Sequence, residues 1–127
     1  KDLAIISVGV GVHRCLEAAQ ILEKEGLSAN VLDLRTIAPL DKEEIQKAVA
    51  ETGRLLVVDE DYQDFGLAGE LAAIALEAGL SFDYARVCTL ETIPYARRLE
   101  NRVLPNTERI CAAARELLHS QRSKKSN

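Results

Sequence analysis

The chain has no methionine, three widely spaced cysteines and two histidines. No apolar run comes near the ~18–20 residues that a membrane-spanning helix needs. No signal-peptide pattern opens it. Lys1 comes first and Met is absent, so the sequence is read as a piece of a longer polypeptide, with any active site expected upstream. Cys15, Cys88 and Cys111 are odd in number and form no C-x-x-C. That argues against a disulfide framework and a zinc site. Cys15 lies among Leu16, Ala18 and Ala19, and Cys111 beside Ala112 and Ala113. Both read as small buried hydrophobes, in keeping with a reducing compartment. Basic charge is short as well: 16 Lys and Arg face 20 Asp and Glu, a net charge of −4. A phosphate-binding face usually makes a domain basic, so nucleic acid is disfavoured. The one basic run, Arg122-Ser123-Lys124-Lys125, reads as a frayed, solvated terminus rather than a nucleic-acid arm.

What is present suffices for one globular domain: 127 residues, 47% hydrophobic and 28% charged. Leu3–Val8 is a short apolar run suited to a strand buried on both faces. A helical pattern follows through Val12, Cys15/Leu16, Ala19 and Leu22, with Gly26 as its stop. Ala29–Leu34 is a second strand. Asp41, with Glu44 three residues on, is a capping-box-like helix start, and Ile45, Ala48 and Val49 give that helix its apolar face before Gly53. Arg54–Val58 is a third strand. Gly66 and Gly69 enter a third helix with a face of Leu67, Leu71, Ile74, Ala75 and Ala78, stopped at Gly79. Tyr84–Leu90 is a fourth strand, and residues 92–105 are irregular. Asn106 or Thr107 caps a last helix whose core face is Ile110, Ala113/Ala114, Leu117 and Leu118. Alternating strands and helices predict a three-layer α/β/α sandwich on a largely parallel sheet. The domain is placed at residues 1–120 and a flexible tail at 121–127.

Several residues invite a functional reading. Gly9-Val10-Gly11 joins a strand to a helix, and Asp33 ends the next strand, the layout of a dinucleotide fingerprint. Arg14, however, stands where the third glycine belongs, and its side chain opposes close helix–strand packing. Asp59, Glu60 and Asp61 crowd three carboxylates at a strand's C-terminal end, where α/β sheets often bind ligands. They suit Mg or Ca, but no ligand loop of recognised spacing follows. An acidic loop, solvated or paired with a partner's Arg or Lys, is the plainer reading. Nothing in the sequence pairs His13 or His119 with a nucleophile in a recognised catalytic pattern, and His119 reads as a residue near a helix end. Tyr95, Leu99 and Leu104 lie in the irregular segment between Pro94 and Pro105. Such a segment must cover its own domain or another subunit.

Five blocks together resemble a known family. They are Asp33-Leu34-Arg35-Thr36-Ile37-Ala38-Pro39-Leu40-Asp41, Gly53-Arg54, Gly66-x-x-Gly69-Glu70, Ile93-Pro94-Tyr95-Ala96-x-x-Leu99-Glu100, and Leu104-Pro105. In this order they are similar to the C-terminal domain of beta subunits of thiamine-diphosphate 2-oxo acid dehydrogenases, in the transketolase superfamily. The resemblance covers residues 1 to about 118. It implies a mixed, mostly parallel five-stranded sheet with one antiparallel strand, one more strand than the residues themselves predict. It also implies a parent alpha2-beta2 heterotetramer that decarboxylates a 2-oxo acid and passes the acyl group to a lipoyl group. Thiamine diphosphate and Mg belong to that parent, and the activating glutamate belongs to a preceding domain. No residue here is expected to be catalytic, cofactor-binding or metal-binding. The domain is expected to hold subunits together and to meet the small basic subunit-binding module of a lipoyl acyltransferase. Asp83 matches the acidic position before the family's last strand. Asp83, Asp59, Glu60, Asp61, Tyr95 and Leu99 are therefore the candidate partner-binding residues. A bacterial cytoplasm or a mitochondrial matrix is the expected compartment. The family's prolines near 83–87 and 91–94 are missing or displaced, which leaves the 2-oxo acid open. Two alternatives remain: a free-standing nucleotide binder or enzyme using the Gly9–Gly11 turn, and an oligomerisation module from another transketolase relative.

Overall fold

The apolar run that opens the chain is a strand, β1 (Leu3–Ser7), buried at every position. The computed structural model describes residues 1–7, 10–34, 41–62, 67–89 and 105–126. After β1 come α1 (Val10–Lys24), β2 (Ala29–Asp33), α2 (Lys42–Thr52), β3 (Arg54–Tyr62), α3 (Leu67–Glu77), β4 (Asp83–Thr89) and α4 (Thr107–Ser126). The strands order as β2-β1-β3-β4, every pairing parallel. Central β1 and the first part of β3 read as unbroken apolar runs because both faces of the sheet are covered. Among the described residues the sheet has four strands, all parallel. The fifth, antiparallel strand implied by the family resemblance is not among them.

Two apolar clusters, one on each face, hold the layers together. On one face Cys15, Ala18 and Leu22 of α1 and Ile110, Cys111, Ala114 and Leu117 of α4 pack on Leu3, Ile5, Leu56, Val58 and Val87. On the other, Ile45 and Val49 of α2 and Ala68, Leu71, Ile74 and Ala75 of α3 pack on Ile6, Leu55, Val57 and Cys88. The α1 stripe differs from the periodicity reading. Cys15, Ala18 and Leu22 face the sheet, while Leu16 is 50% exposed. Both stripes have helical spacing, and only the packing angle separates them. In α3 the core face includes Ala68, while Ala78 is exposed.

Local signals set the element ends. Asp41 caps α2, its Oδ1 accepting from Glu44 N–H at 3.1 Å. Gly53 follows at φ 69°, the left-handed conformation that ends a helix, and its N–H donates to Val49 O. Asn106 caps α4, its Oδ1 accepting from Arg109 N–H at 2.9 Å. Two boundaries move. β3 runs on to Tyr62 past a register irregularity, with Tyr62 facing Thr89 of β4. Asp59-Glu60-Asp61 thus extend a strand rather than form a loop, because a neighbouring strand is long enough to pair with the extension. The last helix runs on past residue 120 and stays helical to Ser126. Residues 120–125 contain no Gly or Pro to stop it, and Lys124 and Lys125 suit the negative end of the helix dipole. His119 consequently lies well inside α4.

Candidate docking surfaces

Parallel strands put all their C-terminal ends on one rim and all their N-terminal ends on the other. Asp59 sits on the first rim. Asp83, the first residue of β4, sits on the second, in register with Arg54. Asp59 lies five residues beyond Arg54 along β3, about 16 Å at ~3.3 Å per residue. The two acidic positions therefore belong to opposite ends of the sheet, not to one patch. Asp83 N–H donates to Gly53 O at 3.0 Å, which ties the start of β4 to the C-cap of α2. Tyr95 and Leu99 lie outside the described residues, as do the side chains of Glu60 and Asp61.

The C-terminal rim carries the point where the sheet's winding reverses, between β1 and β3, the usual ligand crevice of such sheets. The polar groups described there are used internally. Ser7 Oγ–H donates to Val58 O at 2.8 Å while fully buried, and a contact from Ser7 opposes the rise of the Cys15 pKa. Arg14, at the third-glycine position, donates from Nη1 to Pro105 O. That bond fastens α1 to the segment entering α4. Gly9 lies outside the described residues. Among the described residues no group of three His, Cys, Asp or Glu side chains suits a metal ion, and no helix is long and apolar enough to cross a membrane.

The start of α4 is held by contacts that no local pattern announces. Thr107 Oγ1–H donates to Glu17 Oε2 at 3.0 Å, and His13 Nε2 lies 3.5 Å from Glu17 Oε1. Arg109 Nη2 donates to Cys88 O at 2.9 Å, and burial lowers the pKa of that guanidinium. Further along, Arg115 makes two bonds to Glu25, at 2.9 and 3.2 Å, over a groove lined by Leu27, Leu118 and His119. The Thr107–Glu17 and Arg115–Glu25 partners stand about ninety residues apart, so only the long-range fold could reveal them. Burial pushes the Cys15 thiol up to about 12 and also raises Cys111. Both are neutral thiols at pH 7, poorly suited to nucleophilic catalysis.

Comparison with known proteins gives this scaffold its relatives. Residues 1–110 match the family described as "Transketolase, C-terminal domain". The chain is 40% identical over 126 residues to the subunit beta of acetoin:2,6-dichlorophenolindophenol oxidoreductase from Cupriavidus necator, covering 93% of this chain and 36% of that protein. It is 38% identical over 130 residues to the mitochondrial pyruvate dehydrogenase E1 component subunit beta of Dictyostelium discoideum, covering 98% and 35%. It is 41% identical over 121 residues to the 2-oxoisovalerate dehydrogenase subunit beta of Bacillus subtilis, covering 91% and 37%. Among solved structures, a split-gene transketolase described as an inactive beta4 tetramer superimposes with a TM-score of 0.85 at 25% identity, covering 94% of this chain and 40% of that one. The chain spans about a third of the length of the curated relatives it matches.

Proposed function

Because the chain belongs to the transketolase C-terminal domain family, we propose that it is the subunit-assembly and partner-docking domain of a 2-oxo acid dehydrogenase beta subunit. The three relatives named above, at 38–41% identity, are beta subunits whose names carry acetoin, pyruvate and 2-oxoisovalerate. The observation that carries the reading is the near-complete cover of this chain against a third of each such subunit. The parent enzyme oxidatively decarboxylates a 2-oxo acid and transfers the acyl group to a lipoyl group. It works in a bacterial cytoplasm or a mitochondrial matrix.

Thiamine diphosphate and its Mg ion belong to that parent. The described residues fit the cofactor poorly: they offer no three-carboxylate cluster for the metal, and Ser7 and Arg14 at the crevice bond within the chain. No chemical step is assigned to them. What the domain contributes is surface. Copies of the beta subunit and an alpha subunit are the proposed assembly partners, and the beta4 tetramer formed by a structural relative supports self-association. The acyltransferase's basic subunit-binding module is the proposed docking partner, with Asp83 as one contact at the N-terminal rim.

The test is a pull-down of the native parent polypeptide from its own cell extract with an antibody to this domain, followed by mass spectrometry of everything retained. A longer chain arriving with a separate alpha-type subunit and a lipoyl acyltransferase is the expected result. A lone protein of about 14 kDa, without either partner, overturns the reading. For Asp83, the parent enzyme carrying Asp83→Ala should bind the acyltransferase module more weakly at low salt. Unchanged affinity removes Asp83 from the contact.

A further inference from the structure

The helix α3 is apolar on two faces. Ala68, Leu71, Ile74 and Ala75 meet the sheet and α2. On the outward side Gly69, Ala72, Ala73 and Leu76 follow the i, i+3, i+4, i+7 spacing of a second stripe. Gly69 is exposed, the two alanines are half-buried, and Leu76 is 62% exposed, the most exposed large apolar side chain among the described residues. A surface helix normally shows charge on that side. Here the only charges are Glu70 and Glu77, seven residues apart along one flank of the stripe.

The surroundings are acidic. Asp41, Glu43, Glu44 and Glu51 of the adjacent α2 are exposed, as are Glu70 and Glu77, against two exposed lysines, Lys42 and Lys47. These six carboxylates and two ammonium groups carry a charge of −4, equal to that of the whole chain. Among the described residues, the layer that carries the exposed apolar stripe is therefore distinctly acidic. Two copies of this face would bring like charges together, which disfavours self-pairing.

We propose that the outward face of α3, with Leu76 at its C-terminal end and Glu70 and Glu77 along its flank, is the seat of a basic helical module whose own apolar stripe packs on Gly69, Ala72, Ala73 and Leu76. This rests on reading the chain as a docking domain and gives that reading a surface. The small residues let a partner helix approach closely, Leu76 supplies the anchor, and the carboxylates select a lysine- or arginine-rich partner. The start of β4, and Asp83 with it, follows six residues after Glu77, at the end of the same helix.

The experiment uses the intact parent enzyme and the lipoyl acyltransferase module of the same organism, with binding measured by calorimetry at low and high salt. Glu70→Lys/Glu77→Lys should weaken binding by about tenfold at low salt, with the difference shrinking at high salt. Leu76→Ser should weaken it by about fivefold at either salt concentration. Neither should shift the melting temperature, since all three side chains are exposed. Wild-type binding with both variants unaffected overturns this surface and leaves the docking reading intact. No binding by the wild type overturns both. A change of oligomeric state in Leu76→Ser by sedimentation, with module binding unchanged, assigns the face to subunit contact and also overturns the proposal.

Discussion

Cys15 shows how much one buried side chain constrains the folded state. It has no exposed surface, and burial raises its pKa to about 12 against a contact from Ser7 that lowers it. A thiol in the unfolded chain ionises near 9.0. The folded pKa is the higher one, so the thiol's contribution is complete below pH 9 and is lost as pH rises toward 12. At pH 10.5 the loss should reach roughly 2 kcal/mol. Urea titrations at pH 7, 9 and 10.5 on the parent protein and its Cys15→Ala variant check this: the variant should show the shallower alkaline decline, and equal declines sink the account. Gly53 makes a conformational demand instead. Its φ is +69°, and a Cβ built there meets nothing within 4 Å. Gly53→Ala therefore meets no clash and loses stability only through the backbone, by about 1 kcal/mol, readable as a lower melting temperature.

At the scale of elements, the strands and helices were largely legible because their determinants are local. Asp41 and Gly53 end α2 where side-chain chemistry predicts, and Asn106 proves to be the cap of α4. Removing a capping side chain costs about 1 kcal/mol. Asp41→Ala and Asn106→Ala act on helices in opposite layers, so their effects should add to within about 0.5 kcal/mol in denaturant titrations. A marked excess in the double variant would mean the two layers communicate through the sheet. What local signals missed depends on neighbours. The continuation of β3 through Asp59, Glu60 and Asp61 needs β4 beside it. The choice of Cys15 and Ala18 over Leu16 as the buried stripe of α1 depends on how the helix lies on the sheet.

For the molecule as a whole, one sheet is shared by two apolar clusters, so neither helical layer has a core of its own. Ile110 is fully buried and anchors α4 to β1, β3 and α1. Ile110→Ala should cost about 3 kcal/mol through lost burial and the cavity left behind. Because the layers share strands, circular dichroism and tyrosine fluorescence should report one coincident transition in the variant as in the parent. Separated transitions would mean that the α1/α4 layer unfolds independently. The acidic candidates also divide at this scale. Asp83 and Asp59 sit on opposite rims of the sheet, so a module that contacts one of them at the N-terminal rim gains nothing from the other.

The order of elements, the caps, the buried cysteines and the family blocks were set by the sequence alone, because each depends on residues a few positions apart. The tertiary structure decided the strand order β2-β1-β3-β4, the pairing of α1 with α4 and of α2 with α3, and the exposure of Leu76. It also decided the contacts from Glu17 to Thr107 and from Glu25 to Arg115. Periodicity says that a helix has an apolar face. Which stripe is buried, and which is left for a partner, depends on the packing angle and on neighbours distant in the chain.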